Sequence, residues 1–211
     1  MSGDFAQPLK PDTSMLLLID YQPQMLVGVE ALDRTQIRNN VFGLAKGARI
    51  FNIPTVLSAI NQNGFGGKFF PELLGLFADS PIIDRTTMPS FDALDDPAVL
   101  AALKKTGRKQ LVVTGLWTSV CLAFTALHAL REGYQVYGVM DATGSESLEA
   151  HNNGIKRMVQ AGVIPTTWMQ VVFEWLHDWS NPKAMDVLKV FGDHNGFFEK
   201  SGAYYADLTK K

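Results

Sequence analysis

Short, continuously apolar runs alternate along the chain with longer segments in which apolar residues recur every three or four positions. The short runs are rich in branched residues and predict buried strands, whereas the longer segments predict helices with one apolar face. The predicted strands are 15–19, 55–58, 81–83, 110–114, 135–140 and 163–166. The predicted helices are 35–51, 97–105, 119–132, 147–161 and 168–178.

This alternation is typical of a parallel sheet that is covered on both faces. Right-handed crossovers then predict an α/β fold, a three-layer α/β/α sandwich around a six-stranded parallel sheet, although the pattern leaves the strand order open. We expect one domain over residues 1–211, with a core at about 13–180 and a C-terminal extension at 181–211. Residues 60–70 include three glycines and predict a mobile loop at one rim of the sheet.

Composition narrows the classes of partner. The 211 residues are 46% hydrophobic and carry 19 basic against 21 acidic side chains, a net charge of −2 without a basic block, so we expect no nucleic-acid partner. No apolar run approaches the roughly 18 residues of a membrane span. Residues 1–14 lack the pattern of a secretory signal, and a single cysteine forms no internal disulfide. We expect a cytoplasmic protein without a membrane partner.

Ligands of such folds bind at the carboxyl ends of the strands, so the polar residue after each apolar run is informative. These residues are Asp20, Asn61, Asp84 with Arg85, the stretch 115–121 with Cys121, and Asp141. The turn "TGLWTS" has one glycine and an indole, which argues against dinucleotide binding. The sequence therefore predicts that an acid, a guanidinium and a thiol meet at one edge.

Cys121 lies at the start of a predicted helix, where the dipole favours an anion, and we expect a lowered thiol pKa and a thiolate. The alternative is a small packing residue. Asp20 follows a buried strand and is the candidate base, because burial raises a carboxyl pKa; alternatively it is a helix cap or a surface acid. Arg85 is the candidate fixed cation, or else a solvated loop arginine.

Four histidines and Asp141 are not assigned to catalysis. His128 lies seven residues beyond Cys121, about 10.5 Å along a helix, which is too far for proton transfer. His128 is therefore expected in packing or at the surface. His151, His177 and His194 lack metal-like spacing to acidic residues, and we expect no metal site. Asp141 is expected in a turn or a cap.

Four segments, in order and spacing, carry a family resemblance: "LLLIDYQPQML", "RTTMPSF", "KQLVVTGLWTSVCLAF" and "EGYQVYGVMDATGS". From about residue 15 to 179 the chain resembles the isochorismatase-like cysteine hydrolases, in particular the YcaC-like group. The family triad of Asp, Lys and Cys falls on Asp20, Arg85 and Cys121, so arginine replaces the lysine here. The resemblance also implies a cis peptide between Leu116 and Trp117, and an oxyanion hole made by the N–H groups of Trp117 and Cys121.

The resemblance further implies the type of reaction. Metal-binding relatives carry Asp-x-His after the second strand, whereas this chain has Ala59, Ile60 and Asn61, so no metal and no other cofactor is expected. A nucleophilic cysteine favours hydrolysis of a C–N bond over cleavage of a vinyl ether.

We therefore expect an amidohydrolase that acts on a small amide or carbamoyl substrate through a thioester. Gln22, Phe65, Phe91 and Trp117 are candidate pocket walls. The alternatives are a redox-sensing thiol protein and a catalytically silent scaffold.

The C-terminal region is unusually aromatic. Residues 168–179 read "WMQVVFEWLHDW", and the tail adds Phe197, Phe198, Tyr204 and Tyr205. This apolar surface predicts a homo-oligomer, and the resemblance implies tetrameric rings that pair into octamers. The alternative is a lid on the protein's own core.

Overall fold

Six parallel strands form one sheet in the computed structural model, which describes residues 7–80, 82–87 and 90–195. The strands are β1 (Ser14–Ile19), β2 (Thr55–Ala59), β3 (Ile82–Asp84), β4 (Gln110–Gly115), β5 (Gln135–Val139) and β6 (Ile164–Thr166). The helices are α1 (Pro23–Val27), α2 (Arg34–Ile50), α3 (Pro71–Leu76), α4 (Pro97–Lys105), α5 (Ala123–Arg131), α6 (Leu148–Ala161), α7 (Trp168–Leu176) and α8 (Ala184–His194). A π-helical turn, Thr118–Leu122, leads into α5.

The strand order is β3-β2-β1-β4-β5-β6. The chain builds the sheet outward from β1 in one direction and, from β4 onward, in the other. β1 and β4 are neighbours in the sheet, with Ile19 beside Gly115 at their carboxyl ends. Connections diverge where the order reverses, which leaves a crevice at the carboxyl ends of β1 and β4. The segments that follow these two strands carry Asp20 and Cys121.

Successive side chains of the central strands enter two separate cores. Leu16 and Leu18 pack on one face with α2, α7 and α8, and Met15 and Leu17 pack on the other with α4, α5 and α6. Every residue of β1 and β4 is buried. Strands covered on both faces need apolar residues at successive positions, which explains their unbroken apolar runs. The predicted three-layer α/β/α sandwich is confirmed.

The predicted helices correspond to α2, α4, α5, α6 and α7 with ends shifted by at most a few residues, except that the helix predicted to begin at 119 begins with the π-helical turn. The pattern missed α1, α3 and α8. α1 and α3 have five and six residues, too few for a helical period, and each has proline in its first turn. α8 lies in the segment taken as an extension, although its residues Val187, Val190 and Phe191 are buried. The predicted start of β3, Pro81, lies outside the described residues.

The aromatic segment 168–179 belongs mostly to the protein's own core. α7 buries Trp168, Val172 and Trp175, and the Trp168 ring lies 5.3 Å from the Phe191 ring of α8. Trp179, 59% exposed, is the exception. The inference that this segment supplies an oligomer surface was therefore wrong for the buried face of α7, because α2 and α8 cover it. The four aromatic residues of the tail lie outside the described residues.

Asp141 has the capping role that its position predicted. Its Oδ1 accepts a hydrogen bond of 2.9 Å from the Trp168 N–H at the start of α7. Burial raises its pKa to about 6. Within the described part of the chain, helices are too short or too polar to cross a membrane.

Candidate active site

Asp20 and Arg85 form a buried ion pair at the carboxyl edge of the sheet. Arg85 Nη2 lies 2.9 Å from Asp20 Oδ2, and both side chains are 0% exposed. Asp20 adopts a φ of 56° directly after β1, a conformation that aspartate tolerates better than most residues. The alternatives of a helix cap or surface acid for Asp20, and of a solvated loop residue for Arg85, were therefore wrong.

Each nitrogen of the Arg85 guanidinium donates a hydrogen bond. Besides the bond to Asp20, Nη1 donates to Ser58 Oγ at 2.7 Å and Nε donates to the Ser90 carbonyl at 3.2 Å. Ser58 belongs to β2, which lies between β1 and β3. The strand order thus places a neutral hydrogen-bond partner between the two charged ones. Such compensation is what permits a charged pair without water.

Cys121 lies in the π-helical turn after β4 and is buried. The peptide between Leu116 and Trp117 is cis, as the family resemblance implies. The Trp117 N–H donates to the Cys121 sulfur, and the thiol interacts directly with the Asp20 carboxylate. Asp20 Oδ1 is buried, and no donor in the described ranges has the distance and angle of a hydrogen bond to it. The three predicted residues therefore form one cluster.

Residues that the sequence did not single out hold the cysteine turn. The Thr118 N–H donates to the Gly144 carbonyl at 3.0 Å, and Thr118 Oγ1 lies 2.9 Å from His151 Nδ1. The Ser119 N–H donates to Ser145 Oγ at 3.1 Å. The only sequence signal for this support is the polar stretch after β5.

A cavity of about 390 Å³ opens beside the cluster. Its lining consists of Met25, Ile60, Asn61, Phe65, Gly66, Phe91, Leu116, Trp117, Val120 and Cys121. Three of the four predicted wall residues, Phe65, Phe91 and Trp117, are among them. Most of the other lining residues are aliphatic and follow the same pattern as core residues, so sequence reasoning could not distinguish them from the core.

Gln22 is absent from that lining. Its Nε2 donates to the carbonyls of Ile60 and Gly67, and its Oε1 accepts the Ile60 N–H at 3.1 Å. The side chain fastens the loop 60–70 to the end of β1, so it supports the cavity wall from behind. The mobility of this loop stays a prediction.

Comparisons with known proteins agree with this fold. The isochorismatase domain profile matches residues 14–170. The chain belongs to the isochorismatase family. It is 34% identical to the probable hydrolase YcaC of Escherichia coli over 203 residues, which is 96% of each chain.

Two solved structures are similar to this isochorismatase-family chain over nearly all of its length. The E. coli YcaC gene product, described as an octameric hydrolase of unknown specificity, has a TM-score of 0.91 and 35% identity, and the match covers 96% of this chain and 98% of that one. YcaC of Pseudomonas aeruginosa, solved with hexane-2,5-diol and covalent acrylamide, has a TM-score of 0.91 and 32% identity over 95% and 98% of the two chains.

In this family member one group of side chains within the described ranges has a spacing compatible with a cation. Ligand atoms of Asp92, Asp95 and His128 lie within 4.8 Å of one another. His128 Nδ1 is already 2.9 Å from Asp92 Oδ2, and Asp95 Oδ2 accepts a hydrogen bond from Ser90. These bonds fasten the segment before α4 to α5, which gives His128 a packing role. None of the three residues lines the cavity.

The pKa of the Cys121 thiol is raised well above its usual value, contrary to the expectation of a thiolate. Burial is the largest cause, and the negative charge of Asp20 is the next; Arg85 and the Trp117 N–H oppose them. The helix-start argument holds for a partly exposed cysteine, whereas here desolvation dominates. Burial also raises the pKa of Asp20, against the opposing influence of Arg85, in the direction that the sequence predicted.

Asp20→Asn is expected to lower the pKa of the Cys121 thiol. The substitution removes the adjacent negative charge and leaves the Arg85 cation without its anion, so the thiolate becomes easier to form. Because the chain has one cysteine, the difference in absorbance against pH between each protein and its Cys121→Ser counterpart removes the tyrosinate signal and reports on this thiol. Asp193→Asn, which removes a surface acid paired with Lys46, is the control and should leave the profile unchanged. An unshifted thiol pKa in Asp20→Asn would contradict the coupling.

Gly154→Ala is expected to destabilise the protein by ~1 kcal/mol or more, because the added Cβ would lie 3.0 Å from Ser119 Cα. The cysteine turn cannot yield easily, since its amides are fixed by hydrogen bonds. Gly192→Ala in α8 has open space around the added atom and should stabilise by about 0.5 kcal/mol through helix propensity. Urea unfolding measures both. Equal effects in the two variants would show that Gly154 does not restrain the turn.

Proposed function

We propose that this isochorismatase-family protein hydrolyses a C–N bond of a small amide or carbamoyl compound through a thioester on Cys121. The observation that supports this most is the buried cluster of Asp20, Arg85 and Cys121 beside a cavity to which Cys121 contributes. A base, a fixed cation and a nucleophile are the groups that acyl transfer needs.

In the first half of the proposed reaction the Asp20 carboxylate accepts the thiol proton while the sulfur attacks the carbonyl carbon. The C=O π electrons move to the oxygen, which the N–H groups of Trp117 and Cys121 stabilise. The Trp117 N–H donates to the sulfur in the resting site, so it is within reach of an oxygen on a carbon bonded to that sulfur. Protonated Asp20 then gives its proton to the leaving nitrogen, and the C–N bond breaks.

Water completes the proposed cycle. Asp20, again a carboxylate, takes a proton from water as its oxygen attacks the thioester carbon. The C–S bond then breaks, the acid is released, and the sulfur recovers its proton from Asp20. The unpartnered Oδ1 of Asp20 is the atom that we assign to both proton transfers, because Oδ2 is occupied by Arg85.

A raised thiol pKa is compatible with this mechanism. In the resting site the charges of Asp20 and Arg85 cancel, and the thiol is neutral. Transfer of the thiol proton to Asp20 leaves a neutral acid, a thiolate and the guanidinium, so the net charge of the buried cluster does not change. Arg85 therefore acts as a fixed cation that stabilises whichever neighbour carries the negative charge. An isolated thiolate would lack this compensation.

The same pKa argues against a redox-sensing thiol, because such cysteines are exposed and ionise readily, whereas Cys121 is buried with a raised pKa. Covalent acrylamide in the structure of the related P. aeruginosa protein supports a nucleophilic side chain, because acrylamide is an alkylating agent. The silent scaffold is separated from an enzyme by the following test.

Cys121→Ser is expected to lose hydrolysis by ~100-fold or more, because a serine hydroxyl is a much weaker nucleophile without a stronger base. The assay is amine release from a panel of small amides and carbamoyl compounds, with urea unfolding as the control for folding. Asp20→Asn should also be inactive despite its lower thiol pKa, because it lacks the proton acceptor. A folded Cys121→Ser variant with the parent rate contradicts the mechanism, and a panel without turnover in the parent favours the scaffold.

We also propose a homo-oligomer. The related E. coli protein is described as octameric, and large apolar side chains outside the cavity are exposed in this chain, including Trp179 and Met185. Light scattering at micromolar concentration should give a multiple of 23.3 kDa, and a monomer would contradict the proposal.

A further inference from the structure

Among the residues that the structure describes, those lining the cavity are uncharged, although the cluster beside them is ionic. None of the described side chains that line the cavity is acidic or basic. We propose that the cavity binds an uncharged amide whose larger part is apolar, such as an alkyl or aryl carboxamide, and rejects substrates that carry a carboxylate. This inference rests on the proposed function and names its substrate class, leaving out carbamoyl acids.

Two polar side-chain groups at the wall, those of Trp117 and Gln22, are already bonded within the protein. The Trp117 indole N–H donates to the Met25 carbonyl at 2.7 Å, so the ring presents carbon atoms to the cavity. Both ends of the Gln22 amide are bonded to the backbone of the loop 60–70. A substrate therefore meets aliphatic and aromatic surface over most of its length, which favours burial of an apolar group.

A substrate carboxylate would find no cation among the described residues of this wall. Arg85, the cation of the cluster, is 0% exposed, donates from each nitrogen and is neutralised by Asp20. Lys68, in the loop 60–70, does not line the cavity and donates to Asn63. A carboxylate entering the cavity would lose its hydration without a compensating ion pair, and it would face the negative charge of Asp20.

Size and polarity together orient the proposed substrate. A cavity of about 390 Å³ holds ~15 non-hydrogen atoms if it is filled as densely as a cavity that binds benzene. The Asn61 side chain is the one amide in the lining and makes no hydrogen bond to a residue of the described ranges. It can bind a polar group of the substrate near Cys121. The apolar part then extends toward Phe65 and Phe91, whose rings are 77% and 57% exposed and form the rim.

Alkylation of Cys121 tests the charge preference without requiring hydrolysis. The probes are N-butyl iodoacetamide and 4-(iodoacetamido)butanoate, which share the reactive group and a three-methylene chain and differ at the far end, in a methyl or a carboxylate. Each labelling rate is divided by the rate for the denatured protein, which removes intrinsic reactivity. We expect the normalised labelling rate of the neutral probe to exceed that of the anionic probe by ~10-fold or more. A normalised ratio near one would overturn the proposal.

Two charge-adding variants show where the preference arises. Phe65→Lys places a cation at the rim. It should reduce the ratio of the neutral to the anionic labelling rate several-fold, because the cation attracts the anionic probe. Phe124→Lys adds the same charge at an exposed position outside the cavity lining and should leave the ratio unchanged. Equal effects of the two substitutions would mean that the surface charge of the whole protein sets the ratio, which contradicts a preference built into the cavity.

Hydrolysis of hexanamide and of the monoamide of adipic acid separates the two proposals. Ammonia release from hexanamide but not from the acidic monoamide supports both. Equal or faster release from the acidic monoamide overturns the substrate class and leaves the hydrolase mechanism intact. If Cys121 is labelled selectively by the neutral probe but neither amide is hydrolysed, the result supports the ligand preference of the cavity and counts against the proposed hydrolysis.

Discussion

The buried ion pair of Asp20 and Arg85 is the interaction on which the site depends. It joins the ends of β1 and β3. Ser58 of β2, the strand between them, is uncharged and accepts a hydrogen bond from Arg85. Two charges at 0% exposure are tolerable only together, and loss of one partner from such a pair typically costs about 3–5 kcal/mol. Three strand ends must therefore be correctly placed before the cluster exists.

The same pair determines the chemistry of the thiol. Cys121 reaches Asp20 because β4 is the neighbour of β1 on the side opposite to β2. Burial and the Asp20 charge keep the thiol protonated, and Arg85 is available to stabilise the negative charge after a proton moves. In this arrangement the reactive anion would form only during the proposed reaction. Beside this ionic cluster the described cavity wall is mostly apolar, so the proposed binding and the proposed proton transfer would depend on different sets of residues.

Support for the cysteine turn comes from a separate part of the chain. Thr118 and Ser119 bond to the segment after β5 and to His151 of α6, and Gly154 allows α6 to pack directly on the turn. Side chains far apart in sequence thus restrain one backbone conformation. This is the usual means by which a fold positions a nucleophile, because a short turn cannot hold a unique geometry alone.

The sequence by itself determined the layered fold and the sheet edge at which Asp20, Arg85 and Cys121 meet, because apolar periodicity and the residues after each strand are local properties. It left the strand order open and missed α1, α3 and α8. Tertiary structure decided the order, the burial of α7 beneath α8, the place of Gln22 behind the wall and the raised thiol pKa. Those depend on desolvation and on contacts between distant segments, which no local pattern contains.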